Sequence, residues 1–573
     1  MSIRTKHVGV AFILGVAVSL VHLGAAADVS GHWVFSSQIA IGHDLAAVTL
    51  EATGDGIKGR YFGLLGQDMT VSGSMSGDRV MLVLSGEWPM DGSPLDVILT
   101  GSLSRDSGVG TLAIGTTVVG TWSARRPAPG EDLTPQAKVS VDYHQEHPGK
   151  SRMITPADLP AAGPALTLAN ADRIVPRPSD AWPKAPPGFE ASMYADGLDT
   201  PRKMVTAPNG DVLVAESHRG EVKLFRGLGP DGKAAAVSTF ATGLDRPFGI
   251  AFYPAGSTPE YVYVANTGSV VRFPYTNGDL VARGVAETVI ADLPSGAEVV
   301  GGGHWTRDLA FSLDGRVLFV SVGSFSNAEG TEREVRRANV LTYSPDGHFG
   351  GVFASGLRNP VGVAVHPVTG QLWCTVSERD LFGDDLVPDF ITHVEPGGFY
   401  GWPWFYIGGH WDPRYEGVHQ ELKARVLVPD VLLQAHSAPM TLTFYDGQLF
   451  PSSYNRDIFV ALHGSWNRSI RTGYSVVRLD LDGSRPGAYE DFLTGFVTHD
   501  GRPWGRPVGV TVAGDGALLV SDDGSGAIWR VVYTGRRWRT KDLASVKPRR
   551  EATKPARVAR GGARAELLRR GPG

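Results

Sequence analysis

Residues 356–376, GLRNPVGVAVHPVTGQLWCTV, decide how the rest of the chain is read. Arg358, Asn359 and Pro360 stand directly ahead of an alternating apolar run; a Gly-containing turn and a second apolar run follow. A charge is expensive to bury beside a core, so a cation there needs a reason. The arrangement returns in LDRPFGIAF (244–252) and GRPVGVTVA (505–513). In looser form the whole unit occurs six times, starting at 197, 243, 303, 356, 437 and 505. Spacings of roughly 45 to 80 residues suit four-stranded propeller blades with inserted loops. FEASMYADG (189–197) precedes the first unit and IWRVVYTG (528–535) follows the last, so pairing the two would close the ring and hide its edges. The expectation is an all-β chain with a six-bladed β-propeller over 181–535.

Around that core the chain divides by composition. Gly 73 and Pro 38 in 573 residues, with few long helical periods, favour many short strands. Arg4 and Lys6 precede an apolar run from Val8 to Leu23 and then Ala25–Ala26–Ala27, the pattern of a secretory signal peptide over 1–27, with an uncleaved anchor as the alternative. Residues 28–125 alternate polar and apolar in short runs, as in RVMLVLSG and LDVILTG, and read as a small β-barrel or sandwich. Its ends, GHWVFSS and GTWSARR, should be neighbours. Residues 126–180 read as a Pro/Ala-rich linker. Cys374 is alone, so no internal disulfide forms, and its LWCTV setting reads as buried.

The net charge of −5 is uneven. The tail, 536–573, holds 13 Lys or Arg against three acids and reads as disordered; removing it and the two cations of the leader leaves −17 over 28–535. A body this acidic argues against nucleic acid as a partner. No window after the leader is apolar enough to span a bilayer, and the expected location is periplasmic or secreted.

In a propeller the residues entering each innermost strand face the axis at one mouth. Those positions hold Arg202 with Lys203, Arg246, His304, Arg358, His436–Ser437 and Arg506. Cations converging on one axis repel one another unless an anion sits among them, and the planar fork of Arg suits carboxylates. A compact polyanion is the implied ligand; the alternative is that each Arg braces its own repeat. His304 is the candidate general base, because neighbouring Arg charges would depress its pKa and keep it neutral. His218, His436 and His463 are candidates for substrate contacts. Trp402, Trp404 and Trp466 could stack on a ring or serve blade packing. The loop SERDLFGDDLVPD (377–389) offers oxygens to a hard cation or is a solvated turn.

Several of these stretches, GLRNPVGVAVHP, SERDLFGDDLVPDFITHVEPGGFYGWPW, HGSWNRS and GRPVGV, together resemble the soluble quinoprotein sugar dehydrogenases, most closely the sorbosone or pyranose dehydrogenase branch. The resemblance covers about 187–535. It implies a six-bladed propeller that binds pyrroloquinoline quinone (PQQ) and calcium and oxidises a sugar or sugar aldehyde. By motif, His304 corresponds to the catalytic base, Arg358 and Asn359 to the pair beside the quinone, and Arg506 to a contact with a cofactor carboxylate. Arg202 and Arg246 join them from the repeat pattern. The carbonyls at Asp380 and Leu381 correspond to the segment that binds calcium through main-chain oxygens. The glucose-oxidising branch has Gly-Pro there, and an acid where this chain has Gly303, so glucose is in doubt and His304 needs another orienting partner. Reduced cofactor would pass electrons to a soluble acceptor such as a cytochrome. The rival readings are a calcium-dependent lactonase-type hydrolase, which wants carboxylates converging on a metal, and a propeller kept as a non-catalytic binding module.

Overall fold

The structure, a computed structural model, describes residues 28–39, 42–63, 66–87, 94–115, 117–129, 131, 146–162, 174–295, 304–328, 330, 334–481 and 487–535. The leader, the basic tail and Gly303 lie outside the described residues.

Eight antiparallel strands, from Gly31–Ile39 to Thr117–Arg125, each pair with the next, and the last returns to the first through Phe35 opposite Ala124. This is a closed barrel, which decides between the two N-terminal architectures, and it does make GHWVFSS and GTWSARR neighbours. Period-two alternation fills the interior: on Arg79–Glu87, Val80, Leu82 and Leu84 point in while Arg79 and Met81 point out. Trp33, Phe35, Tyr61 and Trp122 complete the packing.

Six antiparallel sheets follow, five of four strands and one of five. Their innermost strands are Pro201–Thr206, Ile250–Tyr253, Leu309–Phe311, Asn359–Val365, Pro439–Phe444 and Pro507–Val512, for blades 1 to 6. Blade 6 takes its outermost strand, Phe189–Ala195, from the start of the propeller, with Ala191 opposite Val531, so the ring closes as the sequence suggests. Blade 5 gains a fifth strand, Ser151–Met153, which pairs Arg152 with Tyr489 and brings Arg152 into an ion pair with Asp491. Part of the segment between the two units is thus built into the propeller wall.

The repeated Pro-x-Gly of the motif has a packing cause. The inner strands of blades 1, 4, 5 and 6 carry bulges at matching places, between Pro201 and Met204, Pro360 and Val363, Pro439 and Leu442, and Pro507 and Val510. Inside the bulge stand Gly362 and Gly509, with Gly249 their counterpart in blade 2, and each touches the next blade. A Cβ on Gly362 would collide with the Met440 carbonyl, one on Gly509 with the Arg202 carbonyl, and one on Gly249 would lie 2.7 Å from the Arg307 carbonyl. Hydroxyls staple the same contacts. Ser521 accepts from Gly509 N and donates to the Arg202 carbonyl of blade 1; Thr375 accepts from Gly362 N and donates to Met440 of blade 5; Ser321 accepts from Asp308 N and donates to Val361 of blade 4.

At this level blades 1 and 3 carry Lys203 and Asp308 in place of glycine. Lys203 Nζ meets Asp308 Oδ2 at 2.8 Å, both buried, and the same oxygen accepts from Val363 N. Lys203 is therefore a member of an axial lock below the mouth, a correction to its place in the cation ring. We predict that Gly362→Ala, which must push blades 4 and 5 apart, lowers unfolding free energy by ~1–3 kcal/mol. Ser521→Ala, which strands two buried backbone groups, should act in the same range of ~1–3 kcal/mol. Both are read as a shift of the denaturant midpoint.

Candidate active site

The mouth has an apolar floor. Phe248, Val361, Met440 and Val508, each the residue after the Pro of its inner strand, pack together at the axis, and Trp305 joins them edge-on to Phe248. Above this floor the charged groups form two linked sets.

The first set joins Arg246, Arg202 and Arg506. Arg202 and Arg246 both lie over the Trp305 ring, with guanidinium carbons 5.0 and 5.7 Å from its centroid. Arg202 pairs with Asp523 at 2.7 Å, Asp523 accepts from His463 Nε2 at 2.8 Å, and the His463 carbonyl accepts from Arg506 Nε at 3.3 Å. Burial and then Arg506 push His463 down to about 4, because both penalise its protonated form. Aligned on the bulges, Arg202 follows its proline whereas Arg246 and Arg506 precede theirs, so these cations reach one mouth from different register positions.

The second set surrounds His304 and Arg358. Arg358 donates to the carbonyls of Asn327 and Glu378 and pairs with Asp380 at 2.8 Å. Asp380 also accepts from Asn467 Nδ2 at 2.8 Å and faces His436 Nδ1 at 3.6 Å; its main-chain oxygen accepts from Asn327 Nδ2. Burial pushes the Asp380 carboxyl up, but Arg358 and His436 more than offset it and hold it at about 2. Leu381 follows in the left-handed region at φ +78.

His304 is oriented by the backbone. Its Nδ1 lies 2.9 Å from the Ser324 carbonyl, which can only accept, so Nδ1 carries the hydrogen and Nε2 keeps its lone pair. Ser324 thus supplies the partner that the missing acid left open. Two buried guanidiniums fix the backbone around it: Arg307 Nη1 and Arg337 Nη2 donate to the His304 carbonyl at 2.8 and 2.9 Å, and Arg337 also donates to the Ser324 carbonyl at 3.0 Å. Burial first, then Arg358, with Arg337 adding to it, lowers the imidazole to about 3. A neutral imidazole at neutral pH is what a general base requires.

The expectation that every anion of the ring comes from a ligand needs revising. Asp523 and Asp380 are the chain's own counterions for Arg202 and Arg358. Arg246, for its part, meets the exposed Asp245 at 3.7 Å. Asp523, Ser324, Arg307, Arg337 and Asn467 were not singled out from sequence, although SDDGSG, GSFSN and HGSWNRS place three of them on mouth loops. Of the other candidates, His218 is exposed on Asp199, and Trp402 is buried with Nε1 donating to the Asn327 carbonyl, which settles it as packing. Among the described residues no three His, Cys, Asp or Glu side chains form a metal-holding cluster.

A family profile described as TrAA12-like matches residues 183–389 and 418–534, more than half of the chain. The chain belongs to the TrAA12-like family. The branch that its motifs resemble is the one matched. The gap in the TrAA12-like match, 390–417, includes the blade 4 excursion with its Phe405–Tyr406 and His410–Trp411 hairpin. A *Borreliella burgdorferi* protein without an assigned function is 28% identical over 360 residues, 61% of this chain and 90% of its own. A pyrroloquinoline quinone-dependent pyranose dehydrogenase of Coprinopsis cinerea is 26% identical over 412 residues, covering 60% of this chain and 53% of that one. A solved structure of Trichoderma reesei Carbohydrate-Active Enzymes Family AA12 shares the fold, with a TM-score of 0.53 and 23% identity over 63% of this chain and 99% of that one. These matches span about three fifths of the chain.

Two measurements check the electrostatics. Long-range proton–nitrogen NMR of the imidazoles should find His304 neutral with Nδ1 protonated from pH 5 to 8, and Arg358→Met should raise its midpoint by roughly 1 unit or more. For stability, the folded values of about 3 for His304 and about 4 for His463 lie below the unfolded 6.5. The unfolded chain therefore binds protons that the folded one refuses, and stability should fall as pH drops from about 6.5 toward 4. Thermal midpoints across that window should decline, and less steeply in His463→Gln.

Proposed function

We propose that this protein is a PQQ- and calcium-dependent dehydrogenase that oxidises a sugar or sugar aldehyde, a pyranose, aldose or sorbosone, to the lactone or acid. The observation that carries the reading is His304: a neutral imidazole with its Nε2 lone pair available, beside Arg358, over an apolar floor ringed by guanidiniums.

The residues fit the cofactor. A flat aromatic tricarboxylate needs an apolar surface for its face and cations for its edge, and the floor of Phe248, Val361, Met440 and Val508 with Arg202, Arg246 and Arg506 around it offers both. Arg202 Nε is buried without a hydrogen-bond partner, a donor awaiting an acceptor. Buried and unpartnered oxygens on Asn359, Asn467 and Glu378, close in the chain to Arg358, Trp466 and Asp380, suit a hard cation such as calcium alongside the carbonyls of Asp380 and Leu381. When bound, PQQ supplies the two-electron acceptor for the hydride that leaves the sugar carbon.

The chain's own residues do the rest. His304 Nε2 takes the proton from the anomeric hydroxyl of a lactol or from an aldehyde hydrate. The Ser324 carbonyl, with Arg307 and Arg337 behind it, keeps that lone pair aimed. Arg358, fixed by Asp380 and two carbonyls, stabilises negative charge that develops next to the base. The name of the Coprinopsis relative supports the cofactor and the substrate class. Electrons leave to a soluble acceptor such as a cytochrome, and the leader read over 1–27 sends the protein to the periplasm or outside the cell.

The test uses the mature chain freed of metal and cofactor, then given PQQ with and without calcium, a panel of aldoses and sorbosone, and an electron-accepting dye. Dye reduction should need both additions, and His304→Ala should lower its rate by about 10²–10⁴-fold. Arg337→Met should lower the rate with little change in KM, since it acts on the aim of the base. Absence of saturable PQQ binding returns the propeller to a binding module.

A further inference from the structure

Two apolar side chains of the mouth leave the propeller. Leu381, on the blade 4 loop, and Trp466, on the blade 5 loop, both pack against the interior cluster of the N-terminal barrel. The wall of a closed eight-stranded barrel is continuous backbone, so a side chain from outside meets the interior packing through an end. The barrel therefore stands end-on over this side of the mouth. Nothing in the TrAA12-like match, which begins at residue 183, covers the barrel.

The seat is wired to the site. Leu381 follows Asp380 and Trp466 precedes Asn467, and these two neighbours are hydrogen-bonded to each other at 2.8 Å while Asp380 holds Arg358. Leu381 keeps its left-handed φ of +78, a conformation that disfavours an L side chain, and from that turn it packs against the barrel's interior cluster. Across the axis the mouth is open. The side chains of Arg246, on blade 2, and His218, on blade 1, are 43% and 78% exposed.

We propose that the barrel is a one-sided roof over the catalytic mouth, seated on Leu381 and Trp466, and that it sets the size of substrate admitted. The entrance left over blades 1 and 2 takes a single sugar ring or the end of a short oligosaccharide and refuses the interior of a polysaccharide. The roof itself stands independently of the sugar reading; the size limit rests on it.

The experiment compares the full mature chain with L381D/W466D and with the conservative pair L381M/W466F. Small-angle scattering should show a longer maximum dimension for L381D/W466D only, as the barrel swings free. Hydrogen exchange in the same samples should rise in the 377–389 and 463–469 loops and stay unchanged in barrel strand Pro94–Leu103 and blade strand Ile458–Leu462, which shows that both units remain folded. In the dye assay the rate on a tetrasaccharide relative to its monosaccharide should rise several-fold in L381D/W466D. Unchanged scattering and unchanged loop exchange in a folded L381D/W466D would overturn the roof. If L381D/W466D does not fold, Leu381→Ala with Trp466→Ala gives the same comparison with a smaller expected shift. A scattering and exchange change, with no sugar oxidised by the unaltered mature chain loaded with PQQ and calcium, keeps the roof and removes the sugar reading; oxidation by both chains with an unaltered chain-length ratio removes the size limit.

Discussion

The ring depends on how closely six inner strands can approach around one axis. Side chains cannot fill that space, because a Cβ at Gly249, Gly362 or Gly509 would meet a carbonyl of the next blade. Glycine allows the approach, and a hydroxyl on the second strand then satisfies the amide and carbonyl left facing each other, as Ser521 does between Gly509 and Arg202. Three blades lack that glycine: Thr441 stands there in blade 5, and in blades 1 and 3 Lys203 and Asp308 occupy the level as an ion pair. Such a pair, hydrogen-bonded further to Val363 N, ties the inner strands of blades 1, 3 and 4 together below the mouth. The mouth cations Arg246, Arg358 and Arg506 stand three or four residues ahead of the glycines of this layer.

That anchoring explains how so many buried cations coexist. Arg307 and Arg337 face backbone carbonyls, and each gives a hydrogen bond to His304 O. Arg358 likewise uses Asn327 and Glu378 carbonyls before its carboxylate. A guanidinium carries five donors in a fixed plane, so it can cross-link several loops at once where a Lys would hold one. Half of the arginines named at the mouth, Arg307, Arg337 and Arg358, are therefore scaffold around His304, and the other half, Arg202, Arg246 and Arg506, stand around the apolar floor.

The propeller was legible because its repeat is written in local terms: proline at the strand start, glycine at the close approach, alternation through the strand. The closure by Phe189–Ala195 followed from the two unpaired edge strands. The barrel was legible as a meander, but closure against a sandwich was decided by the pairing of its first and last strands, which no short-range pattern contains. In the site, His304 and Arg358 stood out because their types are rare ahead of apolar strands. Asp523, Ser324 and Arg337 did not, since an Asp or Ser in a glycine-rich loop looks like turn chemistry until the fold brings it to a partner over a hundred residues away in Arg202 or 20 away in His304. The assignment of Lys203 to the mouth failed for a related reason: consecutive residues of a strand point to opposite sides, and a bulge at that place shifts the count.

The environment of His304 carries a trade-off that the same geometry resolves. Burial and then Arg358 and Arg337 hold His304 at about 3, which guarantees the neutral form but makes a weak proton acceptor at neutral pH. The guanidiniums that produce part of this shift, Arg358 and Arg337, stand beside the carboxyls of Asp380 and Glu334. An anion entering among them cancels part of their field, and cancelling a positive field raises the pKa of a nearby imidazole. Basicity is then lowest when the mouth holds no anion and rises when one is in place. The Nδ1 hydrogen bond to Ser324 works in the same direction, because the carbonyl stabilises the imidazolium that forms on proton uptake. An imidazole built this way is shielded from protonation while the mouth holds no anion and becomes more basic once one is bound.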